Sequence, residues 1–129
     1  MPTVEIYLPG INAHAMGLHL LLVIKTYVEG KKIGSISEEK MKILEAMDQA
    51  YLKLDKLAET PDDETPHLLS LTIAEAEAMI RAFTEEEFTD GALKDKFYQK
   101  NSYTSYFGLI YAKYLQRISE AYVDALAAA

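Results

Sequence analysis

There is no cysteine in this chain of 129 residues, which removes a disulfide framework, a thiolate metal site and a thiol nucleophile together. That agrees with a reducing compartment without requiring one. Phosphate-binding glycine patterns are missing as well. Gly30 and Gly34 beside Lys31-Lys32 are too few for a P-loop, and no dinucleotide fingerprint occurs. Neither HExxH nor an EF-hand loop is present, and no glycine pattern marks a nucleophile elbow. Long apolar runs are scarce. Residues 13–24 come nearest, but they include His14 and His19 and fall short of the ~18 residues a membrane span needs. No cation precedes the apolar centre at 20–24, because Lys25 is the first, so a signal peptide is not expected. The expectation is a soluble cytoplasmic protein with no membrane partner and no cofactor.

What is present fits one ordinary domain spanning residues 1–129. The mass is 14.5 kDa, half the residues are apolar and 26% are charged, enough to bury a core without staples. The net charge of −7 opposes non-specific binding to nucleic acid or an anionic membrane. That charge is uneven: residues 1–88 carry 16 acidic and 8 basic side chains, residues 89–129 carry 4 and 5. Six of the nine tyrosines also fall in the second section.

The pattern predicts a mainly all-α fold of four to five helices in a bundle, preceded by a short N-terminal extended strand or arm. Residues 1–10 form that arm and 11–127 the bundle, and the closing Ala127-Ala128-Ala129 resembles a vector-derived scar. Val4, Ile6 and Leu8 alternate with Thr3, Glu5 and Tyr7, and Pro9-Gly10 closes the strand. No other stretch alternates as clearly, so the arm is expected either to strap its own helices or to pair with a second copy. Asn12 is expected to cap a helix reaching residue 29, with Gly30 as its stop and Gly17 allowing a close neighbour. Its centre, apolar nearly all round, should be buried on several sides. Ser35 or Ser37 caps a second helix to about residue 59, with Glu38 and Glu39 at its positive end and a Glu38–Lys42 pair outside.

Residues 60–66 read as a connector. Thr72 to Glu75 matches a capping box, and Thr84 to Glu87 repeats it, so this third helix breaks or restarts there. Asp90-Gly91 reads as a turn. The last helix, 101–127, has a broad apolar face that includes Tyr103, Phe107, Tyr111, Tyr114, Ile118, Tyr122, Ala125 and Leu126. It is expected to be the element the fold is built around.

Candidate sites are few. His14 and His19 lie five apart on one helix, about 140° round from each other, so they cannot chelate one ion. His14 is expected to pack beside Leu18, and His67 to sit in a loop. Asp62, Asp63 and Glu64 are contiguous, so their carboxylates splay apart and no metal site is expected. Lys94, Lys96, Tyr98, Lys100, Tyr103 and Tyr106 interleave cations with aromatic rings, a composition that can bind nucleic acid or a small anionic ligand. Interfaces favour tyrosine for the same contact area.

No stretch names a reaction. The expected function is a non-catalytic protein-interaction or regulatory accessory module that self-associates as a homo-oligomer, with Val4, Ile6 and Leu8 at the subunit interface. The alternative is the nucleic-acid or anionic-ligand binder through residues 94–106. An enzyme would need a site around His14 and His19, with no catalytic residue assigned from sequence.

Overall fold

The alternating residues near the N-terminus form a strand, and it has a partner in its own chain. The computed structural model describes residues 2–31, 33–59, 64–94 and 103–129, and side-chain surroundings within these except at 33, 92–94 and 103–111. In it β1 (Val4–Pro9) pairs antiparallel with β2 (Pro66–Leu71). Val4 lies opposite Leu71, Ile6 opposite Leu69 and Tyr7 opposite Leu68. The ladder ends with Pro9 opposite Pro66, where neither residue has an N–H to donate.

This corrects the expectation of an arm awaiting a second copy. β2 supplies the ladder, and Val4, Ile6 and Leu8 turn inward to become 1%, 7% and 0% exposed. Leu69 and Leu71 join them, so five aliphatic side chains seal one face of the sheet. Each is worth ~1.5–3 kcal/mol when fully buried. They belong to this chain's own core and present nothing to another subunit while the fold is intact.

Five helices complete the described residues, and the chain is mostly helical. α1 (Gly10–Lys31) follows β1 directly, starting two residues before the expected cap at Asn12. It passes through Gly30, which lies within the last turn and is not a stop. Ala13, Met16, Leu20, Val23 and Tyr27, at 3-4-3-4 spacing, are its buried stripe. Its centre is not buried all round: Leu21 is 41% exposed.

α2 (Glu38–Leu57) is capped by Ser37, whose hydroxyl accepts from the Lys40 N–H, and it buries Leu44, Met47, Ala50 and Leu54. The Glu38–Lys42 pair is not made among the described residues; Lys40 instead reaches Glu87, 3.0 Å away.

α3 (Ile73–Thr84) begins with the expected reciprocal box. The Thr72 hydroxyl accepts from the Glu75 N–H, and the Glu75 carboxylate accepts from the Thr72 N–H. Glu75 is nearly buried and also accepts from Lys53, which ties the start of α3 to α2. The expected break is present at Glu85, which is extended at φ −87° and ψ 125°. Thr84 does not cap the next helix, because its hydroxyl donates back to the Ile80 carbonyl.

α4 (Glu86–Lys94) contains Asp90-Gly91, so those residues are helical and form no turn. The reason is steric. A Cβ on Gly91 would lie 2.9 Å from Thr26 Oγ1 and 3.0 Å from Thr26 Cβ, so the glycine lets α4 press against α1.

α5 (Tyr103–Ala128) lies along α3 and β1. Tyr114, Ile118 and Ala125 are buried and Tyr122 is half-buried, as the apolar face requires, whereas Leu126 is 46% exposed. Among the described residues α5 is not the hub of the fold: α1 packs against all four other helices, and its most extensive packing is with α2.

Candidate interaction surface

The two histidines of α1 part company. His19 is 3% exposed, stacks on Phe83 with ring centroids 4.1 Å apart, and donates from Nε2 to the Ala82 carbonyl at 2.9 Å. Ala82 lies in the last turn of α3, where carbonyls lose their helical partners, so the imidazole acts as a side-chain cap from α1. Burial pulls its pKa down to about 4, against the opposing pull of the Ala82 hydrogen bond. It is a neutral core residue. His14 is exposed and, beside Leu18, lines a cavity of about 100 Å³ between α1 and α2 with Tyr51 and Asp55. No hydrogen bond joins these three among the described residues. His67, expected in a loop, sits half-buried on β2 opposite Leu8.

A second polar node ties the far end of α1 to α2 and α4. The Tyr27 hydroxyl donates to Glu87 Oε1 at 2.9 Å, while Lys40 Nζ reaches Oε2. Burial, then the Glu87 carboxylate, pushes the Tyr27 hydroxyl up to about 12. Lys40 first, and Tyr27 after it, hold the Glu87 carboxyl below its ordinary range. Phe88 is buried beneath, with Lys40 5.2 Å and Arg81 5.7 Å from its ring centroid. Arg81 in turn chelates Glu85 through Nε and a second nitrogen, across the helix break. Every polar group here answers another one, which describes a structural tie.

Of the basic and aromatic residues singled out from sequence, Lys96, Tyr98 and Lys100 lie outside the described residues. Lys94 ends α4 and Tyr103 and Tyr106 belong to the start of α5, with side chains also outside the description. So do Asp62 and Asp63, while Glu64 is exposed. Among the described residues no group of three or more His, Cys, Asp or Glu could hold a metal ion.

The burial pattern makes plain a feature that periodicity alone conceals. Opposite the core stripe of α1 runs a second stripe: Ile11, His14, Leu18, Leu21, Lys25 and Val28. The steps are 3-4-3-4-3, and at about 100° per residue all six fall within a sector of roughly 100°. Ile11 is 50% exposed and Leu21 41%; Leu18 and Val28 are half-buried. An outward helical face is ordinarily charged, yet only Lys25 interrupts this stripe with a charge, and the exposed Glu29 borders it at the C-terminal end. The heptad spacing is present in the sequence, but there it merges with the inner stripe into a helix apolar all round. α1 is long and apolar enough to cross a membrane by length and composition, and 44% of that window is buried within the protein. Other apolar exposures occur at Tyr7 with Leu68, opposite each other on the outer sheet face, at Leu52 on α2, and at Val123 with Leu126 on α5.

No protein-family model matches the chain, and no curated protein or solved structure matches it.

Proposed function

We propose that this protein is a non-catalytic interaction module, a cytoplasmic helical bundle that works by self-association. The observation that carries the reading is the apolar, heptad-spaced outer stripe of α1, partly exposed on the helix that packs against every other helix among the described residues. A stripe of this kind loses free energy to water until a complementary surface covers it, at roughly 25 cal/mol per Å². The N-terminal strand, paired with β2 and buried on its apolar face, does not carry this reading; α1 does.

The polar nodes support a scaffold in place of a reaction centre. His19 is sealed and neutral, and Glu87, Glu85 and Glu75 are each engaged by a cation. The test is the molar mass in solution by light scattering across concentrations up to tens of micromolar. A mass above 14.5 kDa that falls on dilution is the expected result. A strict monomer over the whole range refutes the self-association reading.

A further inference from the structure

The outer stripe of α1 reads the same in both directions. From either end the order is apolar, polar, apolar, apolar, polar, apolar: Ile11, His14, Leu18, Leu21, Lys25, Val28. A surface that pairs with its own copy about a two-fold axis must be self-complementary, and this pattern is so in one orientation only. Placed antiparallel, two stripes set Ile11 against Val28, Leu18 against Leu21 and His14 against Lys25. Placed parallel in register, they set Lys25 against Lys25, which repels.

The surroundings of His14 give a second reason. Its cavity between α1 and α2 is also lined by Asp55, an exposed carboxylate with no side-chain partner among the described residues. Lys25 is exposed and equally without one. Within one chain the two do not meet. Across an antiparallel pair, the position facing His14 is the one that carries the stripe's sole ammonium group.

Resting on the self-association reading above, we infer that a second copy of this chain docks antiparallel along α1. Lys25 of the partner subunit then enters the cleft beside His14 and Asp55. An ammonium group offers three donors, and a carboxylate oxygen with an imidazole nitrogen supplies acceptors for two of them. The contact occurs twice by symmetry and flanks the central Leu18–Leu21 pairs. The stripe spans about 26 Å of helix, long enough for a coiled-coil seam of two to three heptads. The polar pair fixes the register, because sliding by one turn puts His14 or Lys25 against leucine.

The experiment compares the molar mass and Kd of the full chain with Leu21→Glu, Lys25→Glu, Asp55→Lys and the double variant Lys25→Glu/Asp55→Lys. Circular dichroism checks that each is folded, which is expected because all three side chains are exposed. The wild type should be a dimer, and Leu21→Glu a monomer. Each single reversal should weaken association about tenfold or more, and the double should recover most of that loss. Recovery cannot come from a variant that has merely misfolded. A dimer indifferent to Leu21→Glu puts the interface elsewhere and overturns this inference while leaving self-association intact. A double variant no tighter than the singles overturns the Lys25–Asp55 contact. A monomeric wild type refutes self-association itself, and if that monomer binds vesicles of anionic lipid, the stripe is a membrane-facing surface instead.

Discussion

Acid should destabilise this protein through one buried histidine before its carboxylates are titrated. His19 has a pKa of about 4 in the fold and an ordinary value of 6.5 when the chain is unfolded. Between those values the unfolded state binds a proton that the folded state refuses, so stability rises with pH across the window. The contribution is fully present above pH 6.5, falls as pH drops through the window, and is gone below about pH 4. The total is ~3 kcal/mol from a shift of this size, and at pH 5 about 2 kcal/mol is already lost. Glu75 and Glu87, both held below the carboxylate reference of 4.5, add losses of the same sign only at lower pH. Urea unfolding at pH 7.5 and pH 5 therefore isolates the imidazole. In His19→Gln, whose amide can still donate to the Ala82 carbonyl, the acid-induced loss should shrink by most of that 2 kcal/mol. The variant is also expected to be less stable at pH 7.5, because the stack on Phe83 is gone. Parallel pH profiles for wild type and variant refute the reasoning, as does an NMR titration placing His19 near 6.5.

Other substitutions separate the two faces of α1, and separate Gly17 from Gly91. Leu20→Ala, at a fully buried site, should cost about 2–5 kcal/mol by chemical denaturation, and Leu21→Ala, 41% exposed, under about 1 kcal/mol. Gly91→Ala should destabilise by about 1–3 kcal/mol despite the better helix propensity of alanine, because its methyl group meets Thr26 at 2.9 Å. Gly17→Ala meets Leu54 and Tyr51 only at 3.6–3.7 Å, so it should be neutral or stabilise by up to about 1 kcal/mol. A Tm lowered equally by both glycine variants would contradict the steric distinction. Tyr27→Phe should cost about 1 kcal/mol through the lost hydrogen bond to Glu87, and in a double-mutant cycle with Glu87→Gln, which also breaks the Lys40 ion pair, the two losses should be less than additive.

Local signals are legible in the sequence where the side chain itself carries the geometry. Thr72 and Glu75 announce their capping box because each reaches a backbone N–H three residues away, independent of tertiary structure. The β1 alternation is equally plain, since one face is buried and the other is not. β2 is hidden for a physical reason. Leu68 and Leu69 are adjacent leucines on opposite faces, one 43% and the other 1% exposed, so apolar residues point both ways and period two is masked. Pro66 before them reads as a breaker, although proline is compatible with the first position of a strand. The masking of β2 carries over to β1. Without a visible partner in its own chain, β1 looks like an intermolecular strand, and residues of the core look like an interface.

The same limit explains α1. Periodicity records which positions are apolar; it does not record which apolar positions face inward. Positions 13, 16, 20, 23 and 27 and positions 11, 18, 21 and 28 both follow helical spacing, on opposite sides of one cylinder. Together they look like a helix sunk in a core, and only the neighbours decide between that and a helix with two working faces. The hydrophobic effect is non-directional and proportional to area, so it draws either stripe toward whatever apolar surface is available. What orients α1 is therefore specific. His19 must reach the Ala82 carbonyl and Tyr27 must reach Glu87, and both groups lie on the side of Met16, Leu20 and Val23. Rotating the helix to bury Leu18 and Leu21 instead would strand a neutral imidazole and a phenol away from their acceptors and leave the end of α3 uncapped. These two hydrogen bonds, together with the charge that Lys25 places on the other stripe, fix which side of α1 enters the core.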